Sequence, residues 1–180
     1  LNQQQRLSQM IAKQALRIDC IIQDTLNMVR NKETYPTQLQ LNQFIPTFLQ
    51  EDLADVAQQI NYNIQDKMAI TFDEAQLRQI LINLLRNAIR HNVPAHAKIE
   101  LNIYAHESNV RIDVRDFGSG VASQDLAYLF QPFFSTEITG TGLGLYLSRS
   151  FCEANQAELN YVEQKQGACF RIECPHVALN

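Results

Sequence analysis

Asp116-Phe117-Gly118-Ser119-Gly120 comes directly after an alternating run, Val110 to Val114, so a carboxylate stands at a strand end beside glycines. Glycine permits positive φ and a close approach of backbone to a ligand. A carboxylate buried at such a turn can accept a hydrogen bond from an exocyclic amine, and bonds to charged groups are worth about 1.5–3 kcal/mol. Adenine carries that amine, whereas guanine at the same edge does not. A plain turn after a strand accounts for the same residues, and this segment alone leaves both readings open. Gly140-Thr141-Gly142-Leu143-Gly144-Leu145 opens a helical pattern, which places backbone N–H groups and a helix N-terminus where phosphates could sit. Between Asp73 and His91, the polar residues Gln79, Asn83, Asn87 and Arg90 fall at spacings of four, four and three. They share one helical face, opposite Leu77, Leu81, Leu84 and Ala88. Asparagine is below leucine and glutamate as a helix former by about a few tenths of a kcal/mol, so two in mid-helix call for a reason. An ordinary solvated face is the competing account.

Three better-known motifs do not fit. A dinucleotide fingerprint needs G-x-G-x-x-G straight after a strand, and this loop reads G-x-G-x-G after a loop. No Gly-Lys-Ser/Thr is present for a P-loop. Asp116-Phe117-Gly118 spells the metal-binding tripeptide of Ser/Thr/Tyr kinases, yet no V-A-I-K or H-R-D-L precedes it and the glycine-rich loop lies on the wrong side.

The elements that must hold these residues can be read from periodicity. Apolar Leu7, Ile11, Ala15, Ile18, Ile22, Leu26 and Val29 recur every three or four positions, one stripe of a long amphipathic helix that needs a helical partner. Asn31 to Pro36 breaks the pattern, because Pro36 pushes Tyr35 out of helical geometry. The domain boundary is placed there, giving 1–35 and 36–180. Leu39 to Leu41 reads as a short strand, and Phe44 to Ala57 as a helix with Pro46 in its first turn. Asn61 to Ile64 and Ala69 to Phe72 look like strands on either side of Gln65-Asp66-Lys67. Asp73 caps the helix to His91. A hairpin from Ile99 to Val114 follows, then a short helix at Leu126 to Phe130, a helix from Leu143 to Asn155, and strands at Glu158–Val162 and Cys169–Glu173. Mixed strands and helices without βαβ alternation predict an α+β sandwich, a mixed sheet covered by helices on one face.

Bulk properties narrow the function. The 180 residues, 46 % hydrophobic, suffice for one core and an appendage. Net charge is −4 and the 15 Lys and Arg residues are dispersed, so no nucleic-acid interface is expected. Apolar runs fall far short of the roughly 20 residues that cross a bilayer, so the visible chain reads as soluble. Cys20, Cys152, Cys169 and Cys174 form no CxxC pair, and His91, His96, His106 and His176 are not spaced to complete a zinc site. Free thiols in a reducing cytosol are expected.

In order, Asn83 to Asn92, Asp116 to Gly120, Leu129 to Thr136 and Gly140 to Leu145 resemble the N, G1, F and G2 boxes of the histidine kinase catalytic domain. That domain shares the Bergerat-type ATP-binding fold, a two-layer sandwich, with gyrase, MutL and heat-shock chaperones. The resemblance implies ATP and Mg²⁺ as cofactors. It makes Asn87 the Mg²⁺ ligand, Asn83 its phosphate-side neighbour, Arg90 a phosphate contact and Asp116 the adenine-reading aspartate. Gly118 and Gly120 match the G1 glycines, and Gly140, Gly142 and Gly144, with Thr141 and Leu143 between them, the lid and phosphate loop. Phe133 and Phe134 match the F-box aromatics, which otherwise simply pack the lid onto the core. His91 reads as an adenine-side or structural residue rather than an acceptor. Where the superfamily's hydrolases carry a glutamate that activates water, this chain has Asn83, and an amide cannot act as that base. Phosphoryl transfer to a protein histidine, with negligible hydrolysis of ATP, is therefore implied.

The tail, Gly144 to Arg149, Cys152 to Ala157 and Cys169 to Glu173, is similar to PilS-type kinases, which control type IV pilus genes and are related to nitrogen-sensing NtrB-type kinases. Glu137 stands where many of the latter carry lysine, which leaves a phosphate contact there in question; pilus-type kinases tolerate glutamate. Family members carry the acceptor in an H-E-x-R/N-x-P box on the first dimerisation helix, and no histidine here precedes His91. The Leu7 to Val29 helix resembles the second dimerisation helix. The expectation is a catalytic fragment cut after the acceptor helix, the cytoplasmic portion of a protein anchored in the bacterial inner membrane. Its partners would be its own dimerisation helix in a homodimer and the receiver domain of a response regulator. A degenerate nucleotide-binding docking module and an anti-sigma-factor-type Ser kinase are the alternatives. Intact Asn87 and Asp116 count against the first, the Leu7 to Val29 stripe against the second.

Overall fold

The computed structural model describes residues 7, 10–12, 14, 15, 18, 22, 33–65, 67–93, 98–136 and 140–176. The described positions before 33 are helical, and Leu7, Met10, Ile11, Ile18 and Ile22 are exposed. Leu26 and Val29 lie outside the described residues.

From Thr37 onward the chain builds two sheets. β1 (Thr37–Gln40) pairs antiparallel with β3 (Ala69–Phe72). The larger sheet runs β2–β4–β5–β7–β6, where β2 is Ile60–Ile64, β4 Ile99–His106, β5 Asn109–Arg115, β6 Glu158–Val162 and β7 Cys169–Pro175. Only the β2–β4 pair is parallel, which makes the sheet mixed. The strands before and after Gln65 to Lys67 thus do not pair with each other but enter different sheets.

Alternation decides which face is covered. Ile99, Leu101 and Ile103 are buried while Glu100, Asn102 and Tyr104 face the other way, and Val110, Ile112 and Val114 repeat the pattern on β5. On the covered face lie α2 (Glu74–His91), which buries Leu77, Ile80, Leu81, Leu84, Leu85 and Ala88, and α3 (Gly144–Ala154), which buries Leu147, Phe151 and Cys152. Each such aliphatic side chain contributes about 1.5–3 kcal/mol on burial. The expected α+β sandwich is what forms. On the opposite face Arg171 grips Asp113 through two bonds of 2.7 Å, and the Tyr104 hydroxyl completes the network.

The first helix of this region, α1 (Leu41–Asp52), begins three residues earlier than expected, so Pro46 sits beyond its first turn. Proline has no N–H for the Asn42 carbonyl four residues back. The start is fixed instead by tertiary bonds: Leu41 N–H donates to Met68 O at 2.9 Å and Asn42 Oδ1 accepts from Met68 N–H at 2.9 Å. Leu41, read as strand, is a fully buried helical residue. The short helix after Asp125 is a 3-10 turn, Leu126–Tyr128.

Candidate functional site

Helix α2 is the common wall of the candidate site. Asp73 caps it, with Oδ1 accepting from Gln76 N–H at 3.1 Å. Two turns on, Asn83 Nδ2 donates to Gly144 O and to Ser148 Oγ, both at 3.3 Å, while its Oδ1 accepts from Gln79 Nε2 at 3.3 Å. One turn further Asn87 is half-buried, and its side-chain amide makes no hydrogen bond to any described residue. Arg90 and His91 are exposed in the last turn. At the C-terminal end, Asn92 Oδ1 accepts the N–H of Phe117 at 3.0 Å. From Asn83 to His91 the axis advances about 12 Å at 1.5 Å per residue. One helix therefore touches the glycine loop near its middle and the Asp116 turn at its end.

The Asp116 turn is locked by backbone. Asp116 is buried, its N–H donates to Ala168 O at 2.9 Å, and its Oδ1 accepts from Gly118 N–H at 2.9 Å and Ala168 N–H at 3.1 Å. No partner among the described residues takes the second carboxylate oxygen, which leaves one acceptor of a buried carboxylate open to a ligand. A Cβ on Gly118 would lie 2.1 Å from His91 O, so glycine is what lets α2 end against this turn. Gly120 has φ +73.

At the other end α3 begins at Gly144 with no side-chain cap, which exposes first-turn N–H groups to an anion. Thr141 Oγ1 accepts the Leu143 N–H at 3.3 Å, and the Leu143 side chain is buried in the core, so this residue frames the loop from behind. Gly142, at φ +70, packs on the backbone of Phe133 and Phe134: a Cβ there would lie 2.4 Å from Phe133 C. Phe133 is itself held at φ +65 and is 72 % exposed. Phe130 turns inward, edge-on to Phe170 at 6.4 Å, with Arg149 over its ring at 5.0 Å. Gly140 is half-buried; Glu137 lies outside the described residues.

The sequence reading missed several residues of this frame. Gly167, at φ +77, has the tightest glycine contact of all, a Cβ position 1.9 Å from Asp116 O. Its only signal was a glycine between two strands. Ala168, Ser148 and the buried pair Gln76 and Asn155 carried none as site residues, because their partners are distant in sequence, and Asn92 stands in the sequence only as the end of the N-box motif. Among the described residues no group of three or more His, Cys, Asp or Glu could hold a metal. An oxygen-seeking cation here would depend on an amide such as Asn87 and on a ligand's own oxygens.

A buried aspartate at a glycine turn, an asparagine-lined helix and an uncapped helix N-terminus define an ATPase-type nucleotide fold. Residues 72–178 match the family described as histidine kinase-, DNA gyrase B-, and HSP90-like ATPase, and the chain belongs to that family, as a catalytic domain of the sensor histidine kinase type. It is 36 % identical over 179 residues to the sensor protein kinase PilS of Pseudomonas aeruginosa, covering 95 % of this chain and 34 % of that protein. The chain spans about a third of the length of the curated relatives it matches. Full-length ShkA in complex with AMPPNP superposes with a TM-score of 0.77 at 24 % identity, over 99 % of this chain and 40 % of that one. Histidine kinase ThkA in complex with the response regulator protein TrrA does so at 0.73 and 20 % identity, over 98 % and 52 %. Both likenesses speak for the fold.

Proposed function

We propose that this chain binds ATP and donates its γ-phosphate to a histidine on a dimerisation helix, for relay to the receiver domain of a response regulator. The observation that carries the reading is the double attachment of α2, to Gly144 through Asn83 and to the Asp116 turn through His91 and Asn92. Its span is comparable with an extended nucleoside triphosphate. The free oxygen of Asp116 takes the adenine amine, while the N-terminus of α3, Gly140, Gly142, Gly144, Thr141 and Arg90 surround the phosphates. Asn87, whose amide has no described partner, fits as the one protein oxygen on Mg²⁺, an ion that usually keeps waters and substrate phosphates as its other ligands. When bound, that ion neutralises charge on the phosphoryl oxygens.

Asn83 supports transfer rather than hydrolysis, since its amide is bonded to Gly144, Ser148 and Gln79 and has no basic lone pair for water. Residues 1–35 fit the second dimerisation helix, and the exposed Leu7, Met10, Ile11, Ile18 and Ile22 suit a helical partner, an acceptor-bearing helix or a second copy. The catalytic domain then occupies 36–180. ThkA's capture with TrrA supports a receiver-domain partner, and ShkA's with AMPPNP supports an adenine nucleotide. The likeness to the sensor protein kinase PilS supports a signalling kinase of that type, and control of pilus genes by a membrane-anchored whole protein is the finer part of the proposal. Among the described residues, no helix is long and apolar enough to cross a membrane.

The experiment supplies a separate protein bearing the acceptor helix together with γ-labelled ATP and Mg²⁺. Label on that protein, stable in base and lost in acid, is expected for phosphohistidine. Acid-stable label on a serine, or binding without transfer, would sink the reading; so would vigorous ATP hydrolysis by this chain alone.

A further inference from the structure

Helices α2 and α3 run side by side and are laced at two points. One is the Asn83 contact with Gly144 and Ser148, inside the candidate site. The other lies at the opposite end, where α3 finishes on Asn155 and α2 starts on Asp73. There Asn155 Oδ1 accepts the Asp73 N–H at 2.7 Å, and its Nδ2 donates to Gln76 Oε1 at 2.6 Å and to Phe151 O at 2.8 Å. Gln76 and Asn155 are 1 % and 7 % exposed, so the knot is dry and its amides are satisfied by one another.

The same two residues of α2 also hold the segment that joins the N-terminal helix to the catalytic domain. Asp73 Oδ2 accepts the N–H of Tyr35 at 2.9 Å, and Gln76 Nε2 donates to Thr34 Oγ1 at 3.5 Å. Asp73 thus divides its carboxylate between the helix cap on Oδ1 and the linker on Oδ2. A shift of the linker changes the bonding of Asp73 and Gln76, and through Asn155 it changes how α2 sits on α3. Seven residues along α2, about 10 Å away, the second lacing is made of bonds at 3.3 Å, longer than those of the knot and the first to feel such a shift.

We propose that the buried knot of Asp73, Gln76 and Asn155 couples docking of the Thr34–Tyr35 linker to nucleotide affinity, with Asn155 a positioning residue that touches no ligand itself. The inference rests on the nucleotide site proposed above. Coupling of this kind is reciprocal: linker docking strengthens nucleotide binding by the factor by which nucleotide strengthens docking.

Calorimetry with AMPPNP and Mg²⁺ tests it on the full 180-residue chain. Tyr35→Pro removes one N–H from an exposed residue and leaves the site untouched, while Asn155→Ala removes the knot. Each is expected to weaken binding by about fivefold, and the double variant no more than the larger single effect. In the unsubstituted chain the nucleotide should slow hydrogen exchange at the Tyr35 amide, and in Asn155→Ala it should not. A lowered melting temperature with unchanged affinity in both variants means that the knot is structural only and overturns the coupling. Should Asn155→Ala fail to fold, unchanged affinity in Tyr35→Pro overturns it alone. If the unsubstituted chain binds no nucleotide, the site and the coupling fall together.

Discussion

The two ends of the candidate site are built by different means. Around Asp116 close backbone packing dominates: Gly118 lies under the His91 carbonyl, Gly167 under the Asp116 carbonyl, Ala168 O accepts the Asp116 N–H, and the Asp116 and Asn92 side-chain oxygens accept backbone N–H groups. Around Gly140 to Gly144 the bonds are of 3.3 Å, given by the Asn83 amide and accepted by the Thr141 hydroxyl, and the close backbone approach of Gly142 is to Phe133, an exposed residue in left-handed backbone. Backbone contacts cannot re-form after small displacements, whereas amide and hydroxyl side chains can rotate to follow a ligand. The proposed base end is therefore a preformed template and the proposed phosphate end the adjustable part. Substitutions at the two ends should separate accordingly into losses of stability and losses of affinity.

The largest effect is expected at Gly167. A methyl group there would sit 1.9 Å from Asp116 O, in a backbone conformation at φ +77 that non-glycine residues rarely adopt. Gly167→Ala should cost about 3 kcal/mol or more, read as a fall in the urea midpoint at unchanged slope. A cost under about 1 kcal/mol would show that the base end gives way as readily as the phosphate end.

Asp116→Asn comes next and should act on binding. An asparagine oxygen can still accept the Gly118 and Ala168 N–H groups, so the turn survives, but its amide group then meets the adenine amine donor to donor. Loss of about 1.5–3 kcal/mol of nucleotide affinity is expected by calorimetry, with little change in melting temperature. Unchanged affinity would remove Asp116 from the base end.

Gly142→Ala puts a Cβ 2.4 Å from Phe133 C, a clash as severe on paper as that at Gly118. Because Phe133 is exposed, its segment can move aside, and the stability cost should be only about 1 kcal/mol while nucleotide affinity falls severalfold. A cost equal to that of Gly167→Ala would erase the contrast between the ends.

Legibility in the sequence followed the range of the interactions. Asp73 as a cap, the hairpin from Ile99, and the polar face of α2 depend on neighbours within a few residues, and periodicity shows them directly. The motif residues stand out because glycine, asparagine and aspartate are costly or unusual where they stand, and a family resemblance gathers them into one candidate site. Contacts such as Gly167 with Asp116, Asn155 with Asp73, and β2 parallel to β4 join residues far apart, and no local pattern encodes them. The start of α1 failed for the same reason. A local rule placed Pro46 in a first turn, and bonds from Met68 overrode it.

The smallest effect compares the Asp116 turn with the far end of α3, without touching the site. Cys169 adjoins Ala168 at the base end and Cys152 lies on α3, and both are buried free thiols. Burial pushes Cys169 up to about 12 and Cys152 higher than its ordinary value, with Asp113 and Cys174 as the next causes respectively. Such thiols remain protonated in the folded chain at pH 8 and react with an alkylating reagent only when the structure opens. If the Asp116 turn is the more rigid, single-cysteine variants should label more slowly at Cys169 than at Cys152, which lies beside Asn155 at the far end of α3. The same shifts fix a pH dependence. The unfolded chain ionises its thiols near the ordinary value of 9.0 while the folded chain holds its protons, so stability is full below about 9 and falls as pH rises toward 12. Cys174→Ala, which removes a thiol held up to about 12 by burial and by Glu173, should flatten that decline in urea midpoints between pH 8 and 10.5. An undiminished slope would mean that the decline comes from other groups, the half-buried Tyr104 phenol first among them.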